Sequence, residues 1–214
     1  LPFMLFLPFY LLFLIWKSPD KKLSTVNCLH STVLAFGLSA FFWLPALVEK
    51  KFTIIDQLLL INLANYNIHF VYPIQLWNWP WGFGGSAAGL ADGISFKIGK
   101  IHVIVSLVVS VLAIINVIKN NKDKFILHPS AFILISFILF LLCAFMTTFY
   151  SKFIWDLIAP LGYLQFPWRF LTLTALFASI LAGAFIFMLR LPTLKLAATV
   201  ILLALVTIPN LKLF

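Results

Sequence analysis

The stretch Trp79–His102, WPWGFGGSAAGLADGISFKIGKIH, holds the residues of this chain best suited to chemistry. Glycines at 82, 84, 85 and 89 free the backbone to adopt positive φ and to approach a ligand closely. Successive N–H groups around Gly84 and Gly85 could form a nest for an anion such as phosphate. Lys97 and Lys100 follow and could supply positive charge. Asp92 could ligate a divalent metal or act as a general base, although an Asx-turn beside Gly93 is the plainer role. His102 enters the next apolar run, where a hydrogen-bonded interfacial histidine is commoner than a catalyst. Trp79 and Trp81 could stack on sugar rings or simply belong to an aromatic belt. The plainer reading of the glycine loop is a tight surface turn that reverses the chain between two membrane elements. No strand–loop–helix signature surrounds the glycines, which excludes P-loop and dinucleotide chemistry.

Two further segments carry polar residues at the ends of apolar runs. In YLQFPWR, Pro167 is suited to the first turn of a helix, which puts Arg169 where the helix dipole disfavours a cation. Either Arg169 snorkels to the membrane surface, or its guanidinium and the helix N–H groups share an anion. In FFWLPALVEK, Trp43 and Pro45 are expected to close a helix and leave Glu49 at an interface.

The elements that must position these residues follow from composition. Of 214 residues 63% are hydrophobic and 10% charged, against about 25% charged in soluble domains, so the expected solvent is the bilayer. The formal charge of +9 comes from lysines scattered at the ends of apolar runs, a pattern of headgroup contact that argues against nucleic acid as partner. Six apolar runs stand out: Leu1–Trp16, Asn27–Val48, Ile101–Ile118, Ser130–Tyr150, Trp168–Leu189 and Leu194–Ile208. Only helices satisfy their own backbone hydrogen bonds in lipid, so the expectation is all-α: a polytopic transmembrane helix bundle of about six spans in the cell membrane. Cys28 and Cys143 fall inside such runs and read as small core residues. The chain opens in an apolar run with leucine, not methionine, at position 1, and residues 1–214 are expected to be a single transmembrane domain cut from a longer protein.

Orientation comes from the linkers. KSPDKK, KNNKDK and Arg190–Lys195 are short, basic and occupy alternate connections, which places them in the cytoplasm. Residues 49–100 then form a long extracytoplasmic loop. Its first part, FTIIDQLLLINLANYN, is expected to be an interfacial helix.

Taken in order, FFWLPALVEK, PWGFGGSAAGLADGISFKIGKIH and LQFPWRFL resemble the bacterial integral membrane proteins called "6-pyruvoyl-tetrahydropterin synthase-related", over about Ala40 to Leu171. That label is not chemistry: a pterin synthase is a soluble zinc enzyme, and the sequence has no histidine cluster for zinc. At fold level the family is similar to polytopic GT-C glycosyltransferases, which use polyprenyl-phosphate sugars. The resemblance implies an outward-facing site and an acidic catalytic residue in the first outer loop. With the chain read as a piece, that loop precedes Leu1, and no catalytic residue is assigned within it.

The expected activity is transfer of a sugar from a polyprenyl-phosphate carrier to a cell-envelope acceptor, with membrane lipid as the partner. Candidate substrate-binding residues are Arg169, Asp92, Lys97, Lys100, Gly84, Gly85, Trp81 and His102. No cofactor is assigned beyond a divalent metal that Asp92 could hold. The rival class is a non-catalytic transporter or envelope-assembly scaffold. The third to fifth runs carry no Asp, Glu, Lys or Arg between their ends, which argues against an ion-coupled carrier.

Overall fold

The computed structural model describes residues 2–54, 65–119 and 129–213. Among them every regular element is helical, and the one β-type contact is a parallel bridge between Val71 and Thr148. The chain divides into two units, Leu1–Asn65 and Tyr66–Phe214.

The first unit holds α1 (Pro2–Lys17), α2 (Lys21–Leu38) and α3 (Ala40–Glu49). Asp20 caps α2, its carboxylate accepting from the N–H of Leu23 at 2.9 Å, so the helix starts six residues before the apolar run that marks it. The expected single span Asn27–Val48 is instead two helices bent by 62°. The bend lies at Ser39, whose hydroxyl donates back to the carbonyls of Ala35 (2.8 Å) and Phe36 (3.2 Å). Trp43 Nε1 also donates to Phe36 O at 3.0 Å, so side chains take up carbonyls near the break. Pro45 does not close this segment as expected, because α3 runs through it to Glu49.

The second unit holds α4 (Pro73–Trp77), α5 (Lys100–Lys119), α6 (Pro129–Met146), α7 (Lys152–Leu157), α8 (Leu171–Met188) and α9 (Pro192–Thr207). A 3₁₀ turn, Pro167–Phe170, leads into α8 with Pro167 in its first turn, as the sequence predicts. Its core is the trio α5, α6 and α8. The buried face of α5 is Ser106, Val109, Ser110 and Ala113, small residues that let backbones approach where lipid offers no hydrophobic drive. Asn116 Nδ2 donates to Ser130 Oγ across α5 and α6 at 3.1 Å. By contrast α9 buries no residue.

Among the described residues four helices are long and apolar enough to cross a membrane, or five when the bent pair α2–α3 counts as one span. The expected six is therefore corrected. The first apolar run appears as the shorter apolar helix α1, which is not among these four or five. The long apolar helices indicate a multi-pass membrane protein. The interfacial helix expected in FTIIDQLLLINLANYN and the linker KNNKDK lie largely outside the described residues.

Three contacts gather helix ends of the second unit. The N–H of Val71 donates to Thr147 O just beyond α6 (2.9 Å), and the Phe96 and Trp168 rings meet before α5 and α8 with centroids 5.8 Å apart. The end of α9 meets the start of α5. The loop Tyr72–Gly99 therefore lies at the end of the bundle where α5 and α8 begin and α6 and α9 finish.

Candidate functional site

The loop is fixed by one buried carboxylate. Gln75, fully buried in α4, accepts the N–H of Tyr72 on Oε1 (2.7 Å) and donates from Nε2 to Asp92 Oδ2 (2.7 Å). Asp92, 8% exposed, accepts the N–H of Ala87 on Oδ1 at 2.7 Å. Trp79 Nε1 donates to the Asp92 carbonyl at 3.3 Å. The carboxylate thus bonds five residues back, whereas an Asx-turn reaches forward. Both its oxygens take protein donors. Among the described residues no group of three His, Cys, Asp or Glu side chains gathers to hold a metal.

The glycines serve chain-to-chain approach. Gly84 N–H donates to Gly93 O (2.9 Å) and Gly93 N–H to Gly85 O (3.0 Å), closing a hairpin. A Cβ on Gly84 would stand 2.7 Å from Gly93 Cα, and one on Gly82 would meet the Gly93 carbonyl oxygen. The N–H of Gly84 is therefore committed inside the hairpin and does not join the anion nest expected of it. Gly85 keeps open space where its Cβ would be. On the far side His69 Nδ1 lies 3.0 Å from Ser86 Oγ.

Beside the hairpin opens a cleft of about 590 Å³, between residues 77–102 and the end of α9. Its polar lining includes Lys97, Lys100, His102, Asn78 and Asn210; Trp77, Trp81 and Leu205 are among the apolar groups. Gly99 precedes α5 and has no side chain to cap it, and the first N–H groups of any helix lack intrahelical acceptors. The start of α5 thus adds partial positive charge to that of the lysines. Lys100 Nζ stands 5.8 Å from the Trp77 ring centroid, a cation–π contact. Two polar atoms on this stretch are buried without a hydrogen-bond partner among the described residues: His102 Nδ1 and, one turn on, Ser106 Oγ.

Of the residues singled out from sequence, Lys97, Lys100, Trp81 and His102 share this cleft, while Gly84, Gly85, Asp92 and Arg169 do not line it. Arg169 instead closes a strained turn. Leu164 O accepts both the N–H of Phe166 (2.6 Å) and Arg169 Nη1 (2.8 Å), with Gln165 between them at φ 63°. The guanidinium lies over the Phe166 ring at 5.1 Å. A carbonyl and a ring face thus accompany this cation at a helix start. Trp77, Asn78 and Asn210 were not singled out. Asn210, a polar residue closing an apolar run, was the available signal for the last of these.

A second polar cluster stands apart. Asp156 accepts from Lys152 (2.6 and 2.8 Å) and from the Tyr66 hydroxyl (2.8 Å). The bonds from Lys152 and Tyr66 hold its carboxyl below the usual range. Desolvation, then the Asp156 bond and charge, push the Tyr66 phenol up. Compared with protein-family models, curated proteins and solved structures, the chain matches none.

Proposed function

We propose that this protein handles a phosphate-bearing polyprenyl lipid as part of a GT-C-type membrane glycosyltransferase that moves a sugar from the carrier to a cell-envelope acceptor. The observation that carries it is the mixed lining of the cleft. Lys97, Lys100 and the start of α5 supply positive charge, and Trp77, Trp81, Leu205 and Pro209 supply apolar surface. A phosphate at the head of a long apolar chain needs both. In sugar transfer, negative charge grows on the leaving phosphate, and fixed positive groups there lower the barrier. Trp81 offers an exposed ring on which a sugar could stack. The resemblance of the motifs in FFWLPALVEK, the glycine loop and LQFPWRFL supports the same reading. In this proposal the cleft faces outward and the basic linkers face the cytoplasm.

A second reading, a non-catalytic lipid-binding or envelope-assembly protein, draws support from Asp92. The carboxylate within the loop itself is occupied in holding that loop together. Both readings share the carrier lipid, and one titration addresses it. The chain in detergent micelles should bind farnesyl phosphate and not farnesol. Equal binding of the two would remove the phosphate from the proposal, and the transferase with it.

A further inference from the structure

We infer that His102 contacts the ligand of the cleft as a hydrogen-bond donor through Nε2–H, fixed in that tautomer and orientation by its packing against Gly99. This rests on the cleft being an anion site, as proposed above. The imidazole belongs to the first turn of α5 and lines the cleft. Its Nδ1 is shut away from solvent and has no hydrogen-bond partner among the described residues. A buried N–H without an acceptor is rarer in proteins than a buried lone pair without a donor, so the ring hydrogen belongs on Nε2. His102 lines the cleft together with Lys97 and Lys100, and with Nδ1 shut away, Nε2 is the ring nitrogen left to donate to a ligand there. A phosphate oxygen accepts from such a donor, whereas a bare nitrogen there would repel it.

Gly99 explains why the ring can lie this way. Helical side chains lean toward the N-terminus, so a histidine in the first turn overlies the residue three before it. Gly99 has φ +97°, and a Cβ on it would stand 2.7 Å from His102 Nδ1. Any other residue would strain the backbone and push the imidazole aside. Ser106, one turn further along, is fully buried and its own hydroxyl is unpartnered, so it makes no bond to Nδ1. The spacing Gly99-Lys100-Ile101-His102 is thus a device for aiming one ring nitrogen. The ligand class it suits is a phosphate ester carried on an apolar chain.

The test uses the whole chain in detergent micelles, with isotope-labelled histidine whose His102 signals are identified by their loss in His102→Gln. Nitrogen shifts of the ligand-free protein should show hydrogen on Nε2 and a bare Nδ1. Farnesyl phosphate should then move the Nε2 signal and leave Nδ1 in place. His102→Gln, whose amide nitrogen falls near the position of Nε2, should keep Kd within about threefold. His102→Asn and Gly99→Ala should each weaken binding about tenfold, the worth of one hydrogen bond to a charged group. Hydrogen on Nδ1 in the free protein overturns the inference even if the lipid binds. Equal Kd for the Gln and Asn variants overturns it too. A wild-type chain that ignores farnesyl phosphate overturns the anion site itself, and the ligand-free tautomer separates that failure from a misplaced ring. Inorganic phosphate, run in parallel, should bind more weakly. Equal binding would overturn the apolar-chain part of the ligand class.

Discussion

The hairpin Gly82–Gly93 and the cleft lining that follows it, Ser95–His102, are neighbours in sequence and opposites in construction. In the hairpin, polar groups point at one another: Gln75 to Asp92, Asp92 to Ala87, Gly84 to Gly93. Along the cleft, Lys97 and Lys100 are exposed, and Gly99, just before the helix start beside them, has no side chain with which to cap it. The carboxylate is used up in structure, and the cations are left facing a space. A short polar stretch at a membrane boundary can therefore divide its work, with one part rigid so that the next can present charge.

Breaking the rigid half should cost most. Asp92→Ala would leave the buried Gln75 Nε2 and the part-buried N–H of Ala87 without acceptors, an expected loss of about 3 kcal/mol. Thermal unfolding in detergent would register it, and an unchanged Tm would end the pin. Gly84→Ala comes next, at about 2 kcal/mol, because its Cβ would stand 2.7 Å from Gly93 Cα. Gly85→Ala is its control: a Cβ there meets nothing within 4 Å, and stability should change by less than about 0.5 kcal/mol.

The open half should respond in binding and not in stability. Lys97→Ala should weaken farnesyl phosphate about tenfold with Tm unchanged, and a loss of Tm instead would make Lys97 a structural residue like Asp92.

The smallest effect belongs to the Tyr66–Asp156–Lys152 cluster. The Asp156 carboxyl is held below its ordinary 3.8, so its contribution is present above that pH and lost as pH falls through the lowered value. The Tyr66 phenol is raised above its ordinary 10.0, so its contribution is present below that pH and lost as pH rises through the raised value. Comparing the pH dependence of Tm for the wild type and Asp156→Asn should show a gap that closes in acid. A gap that widened there would reverse the sign of this linkage.

Much of the helical plan was legible, because lipid forces helices and long apolar runs announce them. Lys100–Lys119 and Pro192–Thr207 fall within two residues of the runs Ile101–Ile118 and Leu194–Ile208. The bend at Ser39 was not legible, since hydroxyl back-bonding and a Trp43 indole on a freed carbonyl leave no break in hydropathy. Nor was the role of Asp92. Its partner Gln75 lies seventeen residues away in a short helix with no periodic signal. The cleft joins residues 77–102 to Asn210, and such long-range proximity is a property of the fold, not of any local pattern.

One wall of the cleft is built unlike the other. The start of α5 belongs to a helix locked into the trio by Ser106, Val109, Ser110 and Ala113, whereas α9, whose end supplies Leu205 and Val206, has no side chain sunk into any core. Interdigitated packing sets the spacing between helices wherever it exists. Here it fixes one jamb of the doorway, while the other rests on its neighbours without a buried side chain to hold it.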